Sequence, residues 1–151
     1  MLEGGVILSP SEISAYIKEL YAHNSFMKLC GIQIIDIACG KARVGLKIDP
    51  DRHTNLNNKL HGGLLMTLMD NATGIAAASV GKRVVTVSMT VDFIKGAETG
   101  SFVEAEAVIS YQDAANVNMS MNVWDENGRM LATGMSCMLA IADFPGIPDK
   151  W

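Results

Sequence analysis

Apolar and polar positions recur along this chain with two periods. Ile13, Ile17, Leu20 and Tyr21 repeat at helical spacing behind Ser9-Pro10-Ser11-Glu12. That tetrad offers an N-cap serine, a proline at the first helical position and a glutamate at the third, which predicts an amphipathic helix over residues 10–22. His23-Asn24-Ser25 breaks it, and Phe26, Met27 and Leu29 form a short apolar connector of one helical turn ending at Gly31. Residues 32–37 and 42–48 are rich in β-branched side chains and separated by Cys39-Gly40-Lys41, so they read as a hairpin. Val44, Leu46 and Ile48 alternate with Arg43 and Lys47, leaving one face wet. Residues 49–59 are polar and turn-rich. Val85, Val87, Met89, Val91 and Phe93 then alternate strictly with Thr86, Ser88, Thr90 and Asp92, the pattern of a half-buried strand over residues 84–94. Residues 102–111, 117–124 and 130–141 continue in strand period, the last two joined across the hairpin signal Asn127-Gly128. Pro145, Gly146 and Pro148 make the tail irregular, docked or frayed.

One stretch has neither a strand period nor a polar helical face. From Leu60 through Ser79 the only formally charged side chain is Asp70, set among Leu64, Leu65, Leu68, Met69, Ala72, Ile75 and Ala76. A helix over residues 62–79 that is apolar nearly all round belongs in a core, where an unpaired carboxylate costs several kcal/mol unless donors are built for it. The predicted order is helix, two strands, one long buried helix and about four more antiparallel strands. Sheet and helix must cover each other, which makes the fold α+β, with a sheet face or edge free to pair with another copy.

The start of the long helix carries candidate chemistry. His61-Gly62-Gly63 opens it with two residues lacking a Cβ, and the first N–H groups of a helix have no internal partner, so they suit a developing negative charge. Thr67, Asp70 and Gly74 share one face, with a gap beside the carboxylate. Gly62 and Asp70 are eight residues apart, about 12 Å along the axis. Both groups must lie within roughly 3 Å of the atoms of one reacting carbonyl, so one helix cannot supply them together. Two copies about a twofold axis can, which predicts a composite site at a homodimer interface. Against this stands a structural reading, with Asp70 capping another segment and His-Gly-Gly serving as a tight turn. The combination of a glycine-opened helix start with His and Asp at this spacing favours function. Asn55 reads as a turn residue or as an amide that orients substrate or His61. Thr86 and Ser88 read either as hydroxyls on a polar strand face, the better reading for Ser88, or as groups holding a water or the Asp70 side chain.

Composition narrows the classes. The chain has 151 residues, expected to form one domain, and about half of them are hydrophobic, so it is globular rather than disordered. A net charge of −4 without a Lys/Arg cluster argues against a nucleic-acid surface. No basic region precedes the short apolar piece at the N-terminus, and no uncharged run has the length and hydrophobicity of a membrane span; the expectation is a cytoplasmic protein. Cys30, Cys39 and Cys137 show no metal-ligand spacing with each other or with His23, His53 and His61, so a metal site is not expected.

The residues Asn55, Leu60-His61-Gly62-Gly63, Leu68-Met69-Asp70, Gly74 and Val85 through Phe93 resemble those of the hotdog-fold acyl-CoA thioesterases. Among these they are most similar to the PaaI-like subgroup of the 4-hydroxybenzoyl-CoA thioesterase superfamily. The resemblance covers roughly residues 25–142. It implies an antiparallel sheet of five to six strands wrapped around one long helix, and hydrolysis of an acyl-CoA thioester to a carboxylate and free coenzyme A. It also implies a dimer, often doubled to a tetramer. Residue by residue, the Gly62 N–H would polarise the thioester carbonyl and Asp70 would act as general base or nucleophile. Asn55 and His61 would orient the site, and Thr86 would place the water. Gly63, Met66, Ser88 and Lys95 are candidate substrate contacts, Lys95 toward the coenzyme A phosphates, although Gly96 stands where relatives commonly have Pro. Met66, Leu65 and Phe26 are candidate pocket walls. Coenzyme A is part of the substrate, and no separate cofactor is expected. Ten Met and few aromatic residues lean toward medium-chain or aryl acyl groups with broad tolerance. A non-catalytic acyl-CoA binding or sensing module on this fold would not need Asp70. An enoyl-CoA hydratase or dehydratase would pair a His with an acid, and no second acid lies near His61 in the sequence.

Overall fold

The computed structural model describes residues 6–151. The first helix, α1 (Pro10–Ala22), starts as its sequence dictates. The Ser9 hydroxyl accepts the Glu12 N–H at 3.4 Å, and the Glu12 carboxylate accepts the Ser9 N–H at 2.8 Å. Its apolar stripe buries Ile13 and Ile17 completely. The connector is a helical turn, α2 (Ser25–Cys30), capped by Asn24, whose side chain accepts the Met27 N–H, and closed by Gly31 at φ +75°.

Six strands follow: β1 (Gln33–Ala38), β2 (Lys41–Lys47), β3 (Lys82–Phe93), β4 (Phe102–Gln112), β5 (Asn116–Asp125) and β6 (Met130–Asp143), with α3 (Gly62–Ala78) between β2 and β3. They form one antiparallel sheet in the order β1-β2-β4-β5-β6-β3. The passage through α3 therefore carries the chain from one side of the sheet to its far edge, and β4 returns beside β2. The sheet wraps α3, which packs on β2, β3, β4 and β5. Leu68, Met69, Ala72, Ile75 and Ala76 are fully buried and share one core with Val44, Leu46, Val103, Met119 and Met121. Truncating a side chain such as Leu68 there costs about 2–5 kcal/mol.

Two expectations need correction, and the alternative left open for the tail is settled. The long helix is not covered all round: Gly63 and Met66 are exposed, and Thr67, Asp70 and Gly74 are half-buried, because one sheet wraps the other sides and leaves this stripe open. β3 is not a simple half-buried strand. It is an edge strand with register shifts between Arg83 and Val84 and between Thr86 and Ser88, and Val85 and Val87 stand 44% and 63% exposed. The tail is docked, for the Trp151 indole N–H donates to the Ser79 carbonyl at 2.6 Å and Ile147 is buried against Gly81. No helix among the described residues is long and apolar enough to cross a membrane.

Candidate active site

Glycine at positions 62 and 63 lets the loop turn into α3 under the ring of His61, and the two glycines are not equivalent. His61 is the N-cap, and its Nδ1 accepts the Gly63 N–H at 2.9 Å, so the ring proton sits on Nε2. The His61 carbonyl accepts the N–H groups of Leu64 and Leu65 at 2.9 and 3.2 Å. Of the first N–H groups, the Gly62 amide alone has no partner among the described residues. Gly63 is thereby corrected as a donor to substrate, because its amide is already committed to His61. A Cβ on Gly62 would lie 3.3 Å from the Phe93 ring, so the helix start is also held tightly against β3.

Two turns along the same helix, the Thr86 hydroxyl donates to Asp70 Oδ1 at 2.5 Å. Asp70 is half-buried in the open stripe, which corrects the expectation of a carboxylate sealed in the core. The helix is steadied around it by side chains that bond back to its own carbonyls: Thr67 to Gly63 at 2.9 Å, Asn71 to Thr67 at 2.8 Å and Thr73 to Asp70 at 2.7 Å. One carboxylate oxygen is thus occupied by Thr86, and the second is left for water or substrate.

Ser88 does not join this site. Thr86 pairs with Met138, which is buried in the core, whereas the bulge at Val87 pairs Ser88 with Cys137, the neighbour of Met138 along β6, whose side chain alternates to the other side of the sheet. Asn55 is a turn residue here. Its side-chain oxygen accepts the N–H groups of Asn57 and Lys59 at 2.9 and 3.2 Å, and it makes no hydrogen bond to His61. Met66 is exposed beside the stripe. Lys95 is exposed in the loop after β3, without an ion-pair partner among the described residues. Leu65, proposed as a pocket wall, is 3% exposed and belongs to the core. Phe26 does line a cavity of about 440 Å³ that runs along the stripe past His61, Leu64 and Thr67.

Sequence reading missed Tyr21 as a neighbour of the site. It occupies an apolar position of α1, yet its hydroxyl reaches the glycine one turn beyond Asp70: a Cβ on Gly74 would lie 2.9 Å from the Tyr21 oxygen. Burial, then the Asp70 charge, pushes the Tyr21 phenol up to about 12, while Arg83 pulls the other way. The gap at Gly74 was legible in sequence, but what fills it was not. No group of three or more His, Cys, Asp or Glu among the described residues is arranged to hold a metal ion.

Comparison with known proteins places these residues in context. A family model for the thioesterase superfamily matches residues 57–132, the span from just before His61 to the start of β6. Acyl-coenzyme A thioesterase 13 of Homo sapiens and of Pongo abelii are each 28% identical over 122 residues, 78% of this chain and 86% of the relative. The E. coli PaaI protein from the phenylacetic acid degradation operon shares the fold with a TM-score of 0.82 at 23% identity, over 87% of this chain and 95% of that one. A hypothetical thioesterase of Streptococcus pneumoniae, solved with coenzyme A, matches with a TM-score of 0.71 at 20% identity, over 75% and 90% of the two chains.

Proposed function

We propose, from the premise that this chain belongs to the thioesterase superfamily, that it hydrolyses an acyl-CoA thioester to a carboxylate and free coenzyme A. The observation that carries the reading is the Thr86–Asp70 pair, a carboxylate oriented by a hydroxyl at 2.5 Å on the one stripe of α3 that the sheet leaves open. The unpaired Gly62 N–H supports it, as do an acyl-coenzyme A thioesterase among the relatives and coenzyme A in a structural neighbour.

In this reading the thioester carbonyl oxygen accepts the Gly62 N–H, where one preorganised donor is worth about 2.7–4 kcal/mol in the transition state. Asp70 takes a proton from water, the resulting hydroxide adds to the carbonyl carbon, and the carbon–sulfur bond breaks to release the coenzyme A thiolate. Direct attack by Asp70, through an anhydride that water then opens, uses the same atoms. Thr86 fixes which carboxylate oxygen is free. The His61 ring, bonded to Gly63, holds the helix start in shape and is not the base.

The same reading requires two chains. Gly62 and Asp70 of one helix lie about 12 Å apart along its axis, so the site combines Gly62 of one protomer with Asp70 of its partner. Support comes from β3, a 12-residue edge strand with exposed Val85, Val87 and Phe93 beside the open stripe of α3. Antiparallel pairing of β3 with its own copy about a twofold axis extends the sheet and sets the two helices side by side.

Release of free thiol from a panel of acyl-CoAs tests the function, with wild type beside Asp70→Asn. Turnover by the wild type and a loss of about a hundredfold or more in the variant are expected, within the range for removing a general base. Binding of an acyl-CoA without turnover would replace the enzyme by a sensing module.

A further inference from the structure

A second cavity, of about 550 Å³, lies on the other side of Asp70 from the helix start, between α1, the C-terminal half of α3, the first residues of β3 and the segment after β6. Its floor adjoins the site. Gly74 is one helical turn past Asp70, about 6 Å along the axis. Val84 is two residues before Thr86 on the same face of β3. Its walls include Leu20, Val84 and Phe144, and at its mouth stand Lys82, Arg83 and Asp143.

The charged groups here are not all partnered. Lys82 is paired with Asp143 at 3.1 Å, and His23, on the rim, with Glu19 at 3.3 Å. Arg83 has no ionic or hydrogen-bond partner among the described residues, and the Tyr21 hydroxyl has none either. The register shift at the start of β3, where Arg83 and Val84 pair with Ala142 and Ala140, brings both of these residues to the cavity side. Tyr21, Gly74 and Arg83 line this one cavity, and the Tyr21 phenol, pushed up to about 12 by burial and by the Asp70 charge, stays protonated, a donor at any ordinary pH.

Reach decides what such a cation can meet. β3 advances about 3.3 Å per residue, so the Arg83 Cα is about 10 Å from that of Thr86, and the guanidinium can fold back over the cavity. The phosphates of coenzyme A hang beyond the whole pantetheine arm and fall outside this distance, whereas the far end of a short to medium acyl chain falls within it. We propose that this cavity is the acyl subsite and that it selects thioesters whose acyl chain ends in a carboxylate, held by Arg83 and the Tyr21 hydroxyl. The inference rests on the thioesterase reading and adds the substrate class, the mono-thioesters of dicarboxylic acids. Asp70 repels such a carboxylate, but across the length of the acyl chain, while Arg83 meets it at ion-pair distance.

The test compares adipyl-CoA with hexanoyl-CoA, equal in carbon number and different only in the terminal group, on wild type, Arg83→Met and Tyr21→Phe. Expected are a wild-type preference for adipyl-CoA and a fall of about tenfold in its kcat/KM in Arg83→Met, the size of one charged hydrogen bond. The loss should appear chiefly in KM, with hexanoyl-CoA turnover within about twofold. Tyr21→Phe should show a smaller loss in the same direction. Equal ratios of the two substrates in wild type and Arg83→Met overturn the subsite while leaving the thioesterase intact. An equal loss on both substrates assigns Arg83 a structural role and overturns the subsite too. If the wild type cleaves neither ester, the thioesterase reading and the subsite both fail.

Discussion

Gly74 and Tyr21 compete for one volume, and that competition is measurable. A Cβ at position 74 would lie 2.9 Å from the tyrosine oxygen but 3.9 Å from its ring carbon, an ordinary contact distance. Gly74→Ala alone should therefore destabilise by about 1–3 kcal/mol through overpacking. In a Tyr21→Phe background the same substitution should cost little or gain from the better helix former. Urea midpoints of the four proteins form the cycle, and equal costs in both backgrounds would show that the two side chains do not meet. The site pair obeys similar logic. Thr86→Val removes the donor to Asp70 at constant shape, whereas Thr86→Ser keeps it, so kcat should fall about tenfold or more in the first and recover in the second, the contribution of one charge-assisted hydrogen bond. Sequence reading reached Asp70 from charge among apolar neighbours and Gly62 from helix-end chemistry. It could not separate Thr86 from Ser88, since strict alternation puts both on one face and only the bulge at Val87 parts them. Nor could it separate Gly62 from Gly63, which differ only in the use His61 makes of the second amide.

At the level of elements, local signals were faithful wherever the interaction is local. The capping box at Ser9 was readable because both of its partners lie within four residues, and Ser9→Ala should cost about 1 kcal/mol in a urea titration. The β4–β5 connection makes a pH-dependent counterpart. Asp113 accepts the N–H groups of Ala115 and Asn116 at 2.8 and 2.7 Å, and these bonds hold its carboxyl down at about 2, below the 3.8 of a free aspartate. A depressed folded-state value means that the stabilisation is complete above about pH 4 and is lost as pH falls toward 2. Asp113→Asn keeps the shape without the charge. Its urea midpoint should lie below that of the wild type at pH 6, and the gap should close between pH 4 and pH 2. A gap independent of pH would mean that the charge on Asp113 contributes nothing. The bulges of β3 and the docking of the tail on Ser79 were not legible, because both depend on partners brought from far along the chain.

For the whole molecule, the length of one helix implied more than any motif did. The sheet order could not be read from sequence, but the rise of α3 alone separates Gly62 from Asp70 by about 12 Å, so the proposed hydrolysis, with both groups at one carbonyl, calls for a second copy. Two inactive chains should therefore rescue each other. Asp70→Asn keeps the helix-start donor and lacks the base; Gly62→Pro keeps the base and lacks the donor, at the first helical position, where proline is tolerated. Its ring must settle beside Phe93, so size exclusion and circular dichroism should first establish that each variant folds and associates as the wild type does. In a mixed dimer one site draws Gly62 from the first chain and Asp70 from the second and is intact, while the other site lacks both. Random pairing of equal amounts makes half of the dimers mixed, so co-expression should restore about a quarter of wild-type turnover, where each variant alone has almost none. If every site were built within one chain, the mixture would be as inactive as its parts. A monomer by analytical ultracentrifugation that still cleaves thioester at full rate would likewise remove the partner from the mechanism and return both groups to a single helix.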